Sequence, residues 1–137
     1  MKIFGRKPLS LDYMEARLNN LGLAAEKKNE SIRVELGYGY GISLSYQDQR
    51  LYASVMMPAG WGSRESFNQA IRQASEYCQS KGRLCSDGDE MDIQFSTGSK
   101  CASCAQFENV FAKLFKKLLD SVRKYIEFRE ELENNKK

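Results

Sequence analysis

Apolar positions along this chain change period several times, and the order of those changes lays out a set of elements. Leu11, Met14, Leu18 and Leu21 fall at the three- and four-residue spacings of one helical face, with Ser10 as a candidate N-cap and Gly22 as a stop. After the polar Lys27-Lys28-Asn29-Glu30 the period drops to two. Ile32, Val34 and Leu36 alternate with Arg33 and Glu35, the mark of a strand with one wet face. Residues 23–26 can add a short extra strand. A turn punctuated by Gly37, Gly39 and Gly41 leads to a second strand carrying Tyr40, Ile42, Leu44 and Tyr46. The hairpin connection Gln47-Asp48-Gln49-Arg50 then leads to a third strand over residues 51–57, with Tyr52 and Met56 on one face and Leu51, Ala53, Val55 and Met57 on the other. Apolar residues on both faces predict a central strand or one covered on both sides.

Pro58 ends that strand because it cannot donate a ladder hydrogen bond, and Ser63 is a good N-cap with Glu65 in the first turn. A helix is expected over residues 64–80, with Phe67, Ala70, Ile71, Ala74, Tyr77 and Cys78 on one stripe and Gly82 as its cap. Residues 83–86 and 92–96 read as short strands joined through Asp87-Gly88-Asp89-Glu90, where Asp-Gly signals a turn. Thr97-Gly98-Ser99-Lys100 reads as a loop. From about Cys101 one long helix follows, its broad apolar face running from Phe107 to Ile126, and its polar tail is expected to fray from about residue 130. Antiparallel strand runs separated by helices, without βαβ alternation, give an α+β fold. The expectation is one domain over residues 1–137, an antiparallel sheet of about five strands with three helices, in the order α-β-β-β-α-β-β-α.

That order, together with Leu11-x-x-Met14, the paired strands ending at Pro58, the Ser63-capped helix and the terminal Phe107-x-x-x-Phe111-x-x-Leu114 helix, resembles the type III secretion chaperone-like superfamily, which includes Tir-chaperone-like and YbjN-like bacterial proteins. The resemblance covers nearly the whole chain but rests on length and element order. It implies a small non-enzymatic homodimer whose sheet and helix surfaces hold a partner polypeptide, with the second helix at the dimer seam. Two departures stand out: secretion chaperones are usually acidic, and a cysteine-bearing segment before the last helix is not a family feature.

Composition narrows the function classes. The 137 residues can bury a core without metal or disulfide staples. Twenty-one basic and eighteen acidic side chains leave a net charge of +3, spread along the sequence, so nucleic acid is not implied. No stretch approaches the roughly 18 apolar residues of a membrane span, and no signal-peptide core follows the basic N-terminus, so the expected location is cytosolic. There, the four cysteines are expected as reduced thiols or metal ligands.

Catalysis finds little support. The chain has no histidine, which removes the commonest proton-transfer side chain near neutral pH and the usual partner of a serine or cysteine nucleophile. The carboxylates of Asp87, Asp89, Glu90 and Asp92 lack the spacing of a calcium loop and read as a solvated turn. Gly37-Tyr38-Gly39-Tyr40-Gly41 precedes a strand, not the helix N-terminus that would hold a phosphate. Tyr38 and Tyr40 near Arg33 and Arg50 lack the signature of an RNA-binding sheet.

Cys101-Ala102-Ser103-Cys104 is a C-x-x-C at an expected helix start, with Cys78 and Cys85 flanking the preceding segment. Three readings stand. A zinc site would use Cys78, Cys85, Cys101 and Cys104, although only one of its two knuckles has metal-ligand spacing. A redox dithiol would use the C-x-x-C, although both prolines precede it and no facing cis-proline follows. Otherwise these are free thiols packing as small hydrophobes.

Met56, Met57 and Trp61 suit protein contact, since methionine adapts to varied partners and tryptophan anchors interfaces; the alternative for Trp61 is to cover the end of the core. With Phe67, Ala70, Ile71 and Ala74 they form the candidate partner-binding or dimer surface, and the apolar terminal helix calls for a homodimer or a bound partner helix. The function expected is a non-enzymatic adaptor that binds another polypeptide. An immunity or inhibitor protein capping a toxin is one alternative, and a zinc-binding or thiol redox protein is the other.

Overall fold

The computed structural model describes residues 8–37, 40–87 and 90–134. Its elements are α1 (Leu11–Asn20), β1 (Ala24–Lys28), β2 (Ser31–Gly37), β3 (Tyr40–Gln47), β4 (Arg50–Pro58), α2 (Arg64–Cys78), β5 (Lys81–Asp87), β6 (Glu90–Lys100) and α3 (Cys104–Asn134). The strands form one antiparallel sheet in the order β1-β2-β3-β4-β6-β5. This is the expected α+β architecture with a sixth strand, β1, in the place given as an optional extra strand.

Period-two patterning sorts the sheet into a dry face and a wet one. Ile32 and Val34 of β2, Ile42 and Leu44 of β3, Leu51, Ala53 and Val55 of β4, and Ile93 and Phe95 of β6 are all buried on the same side. The three helices cover that side: α1 lies on β1 and β2, α3 on β4 and β6, and α2 on β5 and α3. Phe107, Phe111, Leu114, Leu118 and Tyr125 form the buried stripe of α3, and Phe95 meets Tyr125 edge-on at 6.2 Å between ring centroids.

Local chemistry sets the boundaries. Ser63 Oγ accepts from Ser66 N at 3.1 Å, while the Ser66 side chain returns a bond to the Ser63 backbone, so a capping box starts α2. The β3–β4 hairpin turns through Asp48 and Gln49, at φ of 54° and 61°, as a two-residue loop demands.

Three expected boundaries move. Thr97–Lys100 is strand, because β4 extends far enough to pair Arg50 with Lys100 and Ala53 with Thr97. Gly98 suits the site because Tyr52 lies across it, where an added Cβ would come within 2.7 Å of the ring. α2 ends at Cys78 with Gln79 in the left-handed cap, so Gly82 is not the stop. Gly82 is instead in β5, where an added Cβ would sit 2.8 Å from Phe95. α3 begins at Cys104, because the Cys101 amide donates to Gln49 O at 2.8 Å and prolongs the β4–β6 pairing past Lys100.

Candidate functional site

The cysteines do not converge. Cys85 stands opposite Asp92 near one end of β6, whereas Cys101 follows Lys100 at the other end. At ~3.3 Å per residue those levels are about 26 Å apart, so Cys78, Cys85, Cys101 and Cys104 cannot share one zinc ion. Among the described residues no group of three or more cysteine or carboxylate side chains is placed to hold a metal. Register explains this: the hairpin that joins Cys85 to Cys101 in sequence carries them to opposite ends of the sheet.

The C-x-x-C is also unlike an activated dithiol. Cys101 is fully buried, and burial pushes its thiol above the ordinary range. A nucleophilic thiol needs the reverse. Tyr46 Oη donates to the Cys101 carbonyl at 2.5 Å, and burial raises the Tyr46 phenol too. Cys104 is half-buried, with its thiol 3.5 Å from the Pro8 carbonyl. Asp89 of the acidic turn and Tyr38 of the glycine-tyrosine turn lie outside the described residues.

The expected partner surface splits. Phe67, Ala70, Ile71 and Ala74 are 0–4% exposed. They are buried by this chain's own α3 and β5, which corrects their assignment to a seam between copies. Met57 is half-buried against the core. Met56 remains 44% exposed and Trp61 91% exposed, the latter at the end of α3 beside Arg129 and Glu133.

Among the described residues two open surfaces combine exposed apolar side chains with a cleft. The first is the wet face of the sheet, which no helix among the described residues covers. Central strand β4 presents Tyr52, 41% exposed, and Met56 there. A cleft of about 570 Å³ reaches from this face to the sheet edge, lined by Ser43, Ser54, Ser96, Arg50, Lys81 and Lys117, with no carboxylate among the described residues of its wall. The second is an apolar groove of about 760 Å³ between the α1–β1 connection and α3, floored by Leu21, Leu23, Phe111, Ala112, Phe115 and Leu119. Its rim is charged. Arg17 pairs with Glu108, and Asp120 is held below the usual carboxylate range by Lys116, with Arg123 adding to the effect. Leu21 and Leu119 were legible as members of apolar stripes; that they stay outside the core depends on how α1 crosses α3. Among the described residues no helix is long and apolar enough to cross a membrane.

No family model matches the chain. No curated protein matches it either. Among solved structures the fold is similar to YbjN from E. coli, a proposed transcription regulator, at 12% identity over 93% of this chain and 94% of that one, with a TM-score of 0.65. It is also similar to an uncharacterised protein from Methanothermobacter thermautotrophicus, at 9% identity over 90% of this chain and 98% of that one, with a TM-score of 0.61. The chain therefore has a YbjN-like fold, as its element order suggested. Identities this low speak to fold alone.

Proposed function

We propose that this chain is a non-enzymatic protein-binding module, an adaptor that holds another polypeptide on the open face of its sheet. The observation that supports this reading most is the exposure of Tyr52 and Met56 together on the solvent face of the central strand, large side chains with apolar surface where polar ones are usual. Beside them lies a cleft whose described lining holds Arg50, Lys81, Lys117 and several hydroxyls and no carboxylate, which suits an acidic segment. A module that works by contact also accommodates a regulatory role of the kind proposed for YbjN.

The test is affinity capture from the native host followed by cross-linking. A polypeptide that cross-links at Lys81 or Lys117 and is lost on Tyr52→Glu plus Met56→Glu supports the reading. Tyr52 lies across Gly98, so the double variant is checked for a retained fold by circular dichroism, and Met56→Glu alone, which leaves that ring contact in place, should already weaken capture. Capture that is indifferent to both substitutions, or a partner mapped wholly elsewhere, overturns the reading.

A further inference from the structure

The two edges of the sheet differ. On β1 the backbone groups that face away from β2 are already bonded: Asn19 of α1 accepts from the Ala25 amide at 2.9 Å and donates to the Ala25 carbonyl at 3.0 Å, and Glu15 accepts from the Lys27 amide at 2.5 Å. Side chains of α1 thus stand in for a further strand and seal that edge. On the other side, Met91 and Cys101 of the β6 stretch bond toward β4, so the even residues of β6 face β5. Lys81 and Arg83, opposite Ser96 and Gln94, direct their ladder bonds to β6, which turns the amides and carbonyls of Gly82 and Leu84 outward. No hydrogen bond reaches those groups from the described residues. Beside them, between β5 and α2, lies a cleft of about 360 Å³, and in its wall the Ser75 hydroxyl is buried without a partner among the described residues. Gly82 keeps the approach clear, since an added Cβ would sit 2.5 Å from Ser75 Oγ.

Amides and carbonyls presented at every second residue call for an extended backbone, which repeats its own donors and acceptors with the same period. A second copy of this chain is the wrong supplier. Its β1 edge is sealed, and pairing its β5 edge antiparallel across Gly82 would set Lys81 and Arg83 of both copies together on one face of the joined sheet. Lys81 and Arg83 are exposed on the wet side of β5 and favour an acidic neighbour. The cleft wall holds Arg72 and Glu76 together, so it selects no charge, and its unpaired Ser75 hydroxyl favours a small polar side chain.

We infer that a foreign polypeptide adds an extended strand to the outer edge of β5, with acidic side chains at alternate positions against Lys81 and Arg83 and small hydroxyl-bearing ones toward Ser75. This deepens the adaptor reading, resting on it for the kind of partner while placing the backbone contact at the edge. The two places are neighbours, because Gln94 stands between Met56 and Arg83 in one row across the wet face.

The probe is a blocked heptapeptide of alternating glutamate and threonine, titrated into the full chain and followed by amide hydrogen exchange residue by residue. Binding should slow exchange at Gly82 and Leu84 by at least about tenfold and leave Lys81 and Arg83, already in the ladder, unchanged. Methylating the peptide nitrogens that face β5 should weaken binding by at least about tenfold, as should replacing glutamate with lysine in the peptide. Lys81→Glu plus Arg83→Glu, both at exposed positions, should invert that charge preference, with protected β5–β6 ladder amides showing that the variant is folded. No saturable binding at millimolar peptide overturns the inference. So does binding that leaves Gly82 and Leu84 exchanging as before, equal affinity for the methylated peptide, or protection that rises with protein concentration alone, which would assign the edge to a second copy. A client held through Tyr52 and Met56 without protection at Gly82 and Leu84 also overturns it and leaves the adaptor reading standing.

Discussion

The hydroxyl of Tyr125, buried in the middle of the long terminal helix, donates to the carbonyl of Ala59 at 2.7 Å, fastening α3 to the segment that leaves the central strand. The Ala59 amide is in turn bonded to Met91 O at 2.9 Å. One residue of connector, just past Pro58, therefore ties β4, β6 and α3 together.

Tyr125→Phe should keep the fold and the ring contact with Phe95 but leave the Ala59 carbonyl without its donor, at a cost of about 1–3 kcal/mol in chemical denaturation. Burial pushes the Tyr125 phenol from 10.0 up to about 12. The folded state thus holds this proton more tightly than the unfolded one. Its contribution is fully present below pH 10 and is lost as pH rises toward about 12. Denaturation midpoints followed across that range should fall less steeply for Tyr125→Phe than for the parent; equal slopes would refute the assignment.

Gly60→Ala should destabilise the same corner. Gly60 sits at φ +92°, and an added Cβ would fall 2.2 Å from Nη1 of Arg129, the atom that donates to Trp61 O at 3.1 Å. The left-handed backbone alone costs about 1–2 kcal/mol for a residue with a Cβ, and Arg129 must also move. Thermal unfolding measures the total. A melting temperature equal to the parent's would mean that the connector is not held in this conformation.

Much of this was legible in the chain and some was not, for reasons that differ by residue. Period two placed Ile32, Val34, Ile42 and Leu44 on one face because a strand's side-chain alternation is local. The pairing of Thr97–Lys100 was not legible, because Thr97-Gly98-Ser99 has loop composition and becomes strand only when β4 lies alongside. The dispersal of the cysteines was hidden for the same reason, since the fifteen residues between Cys85 and Cys101 contain the end of β5, the turn and the whole length of β6. Phe67, Ala70, Ile71 and Ala74 were correctly seen as one stripe. What covers a stripe is a tertiary fact, and here it is α3 of the same chain.

The thiols should react in order of exposure. Cys101, fully buried with its thiol pushed up, should label with a thiol reagent only as fast as the protein opens, whereas the half-buried Cys104 should label first within the C-x-x-C. Peptide mapping after a labelling time course at pH 7 distinguishes them. Fast labelling of Cys101, or zinc at one ion per chain by elemental analysis, would restore the redox and metal alternatives.

Ser63→Ala tests how the start of α2 is coupled to the end of α3. Ser63 Oγ caps the Ser66 amide, and the Ser66 hydroxyl lies 2.7 Å from Glu133 Oε1, so a helix cap and the last described turn of α3 share one serine. Losing an N-cap oxygen costs about 1 kcal/mol. Because Ser66 loses a partner at the same site, Ser63→Ala and Glu133→Ala should not be additive. Removing Glu133 first should shrink the effect of removing Ser63, and a double-mutant cycle on urea midpoints reads the coupling directly. Additive losses would mean that α3 ends independently of the α2 cap, and that the contact between Ser66 and Glu133 contributes nothing in solution.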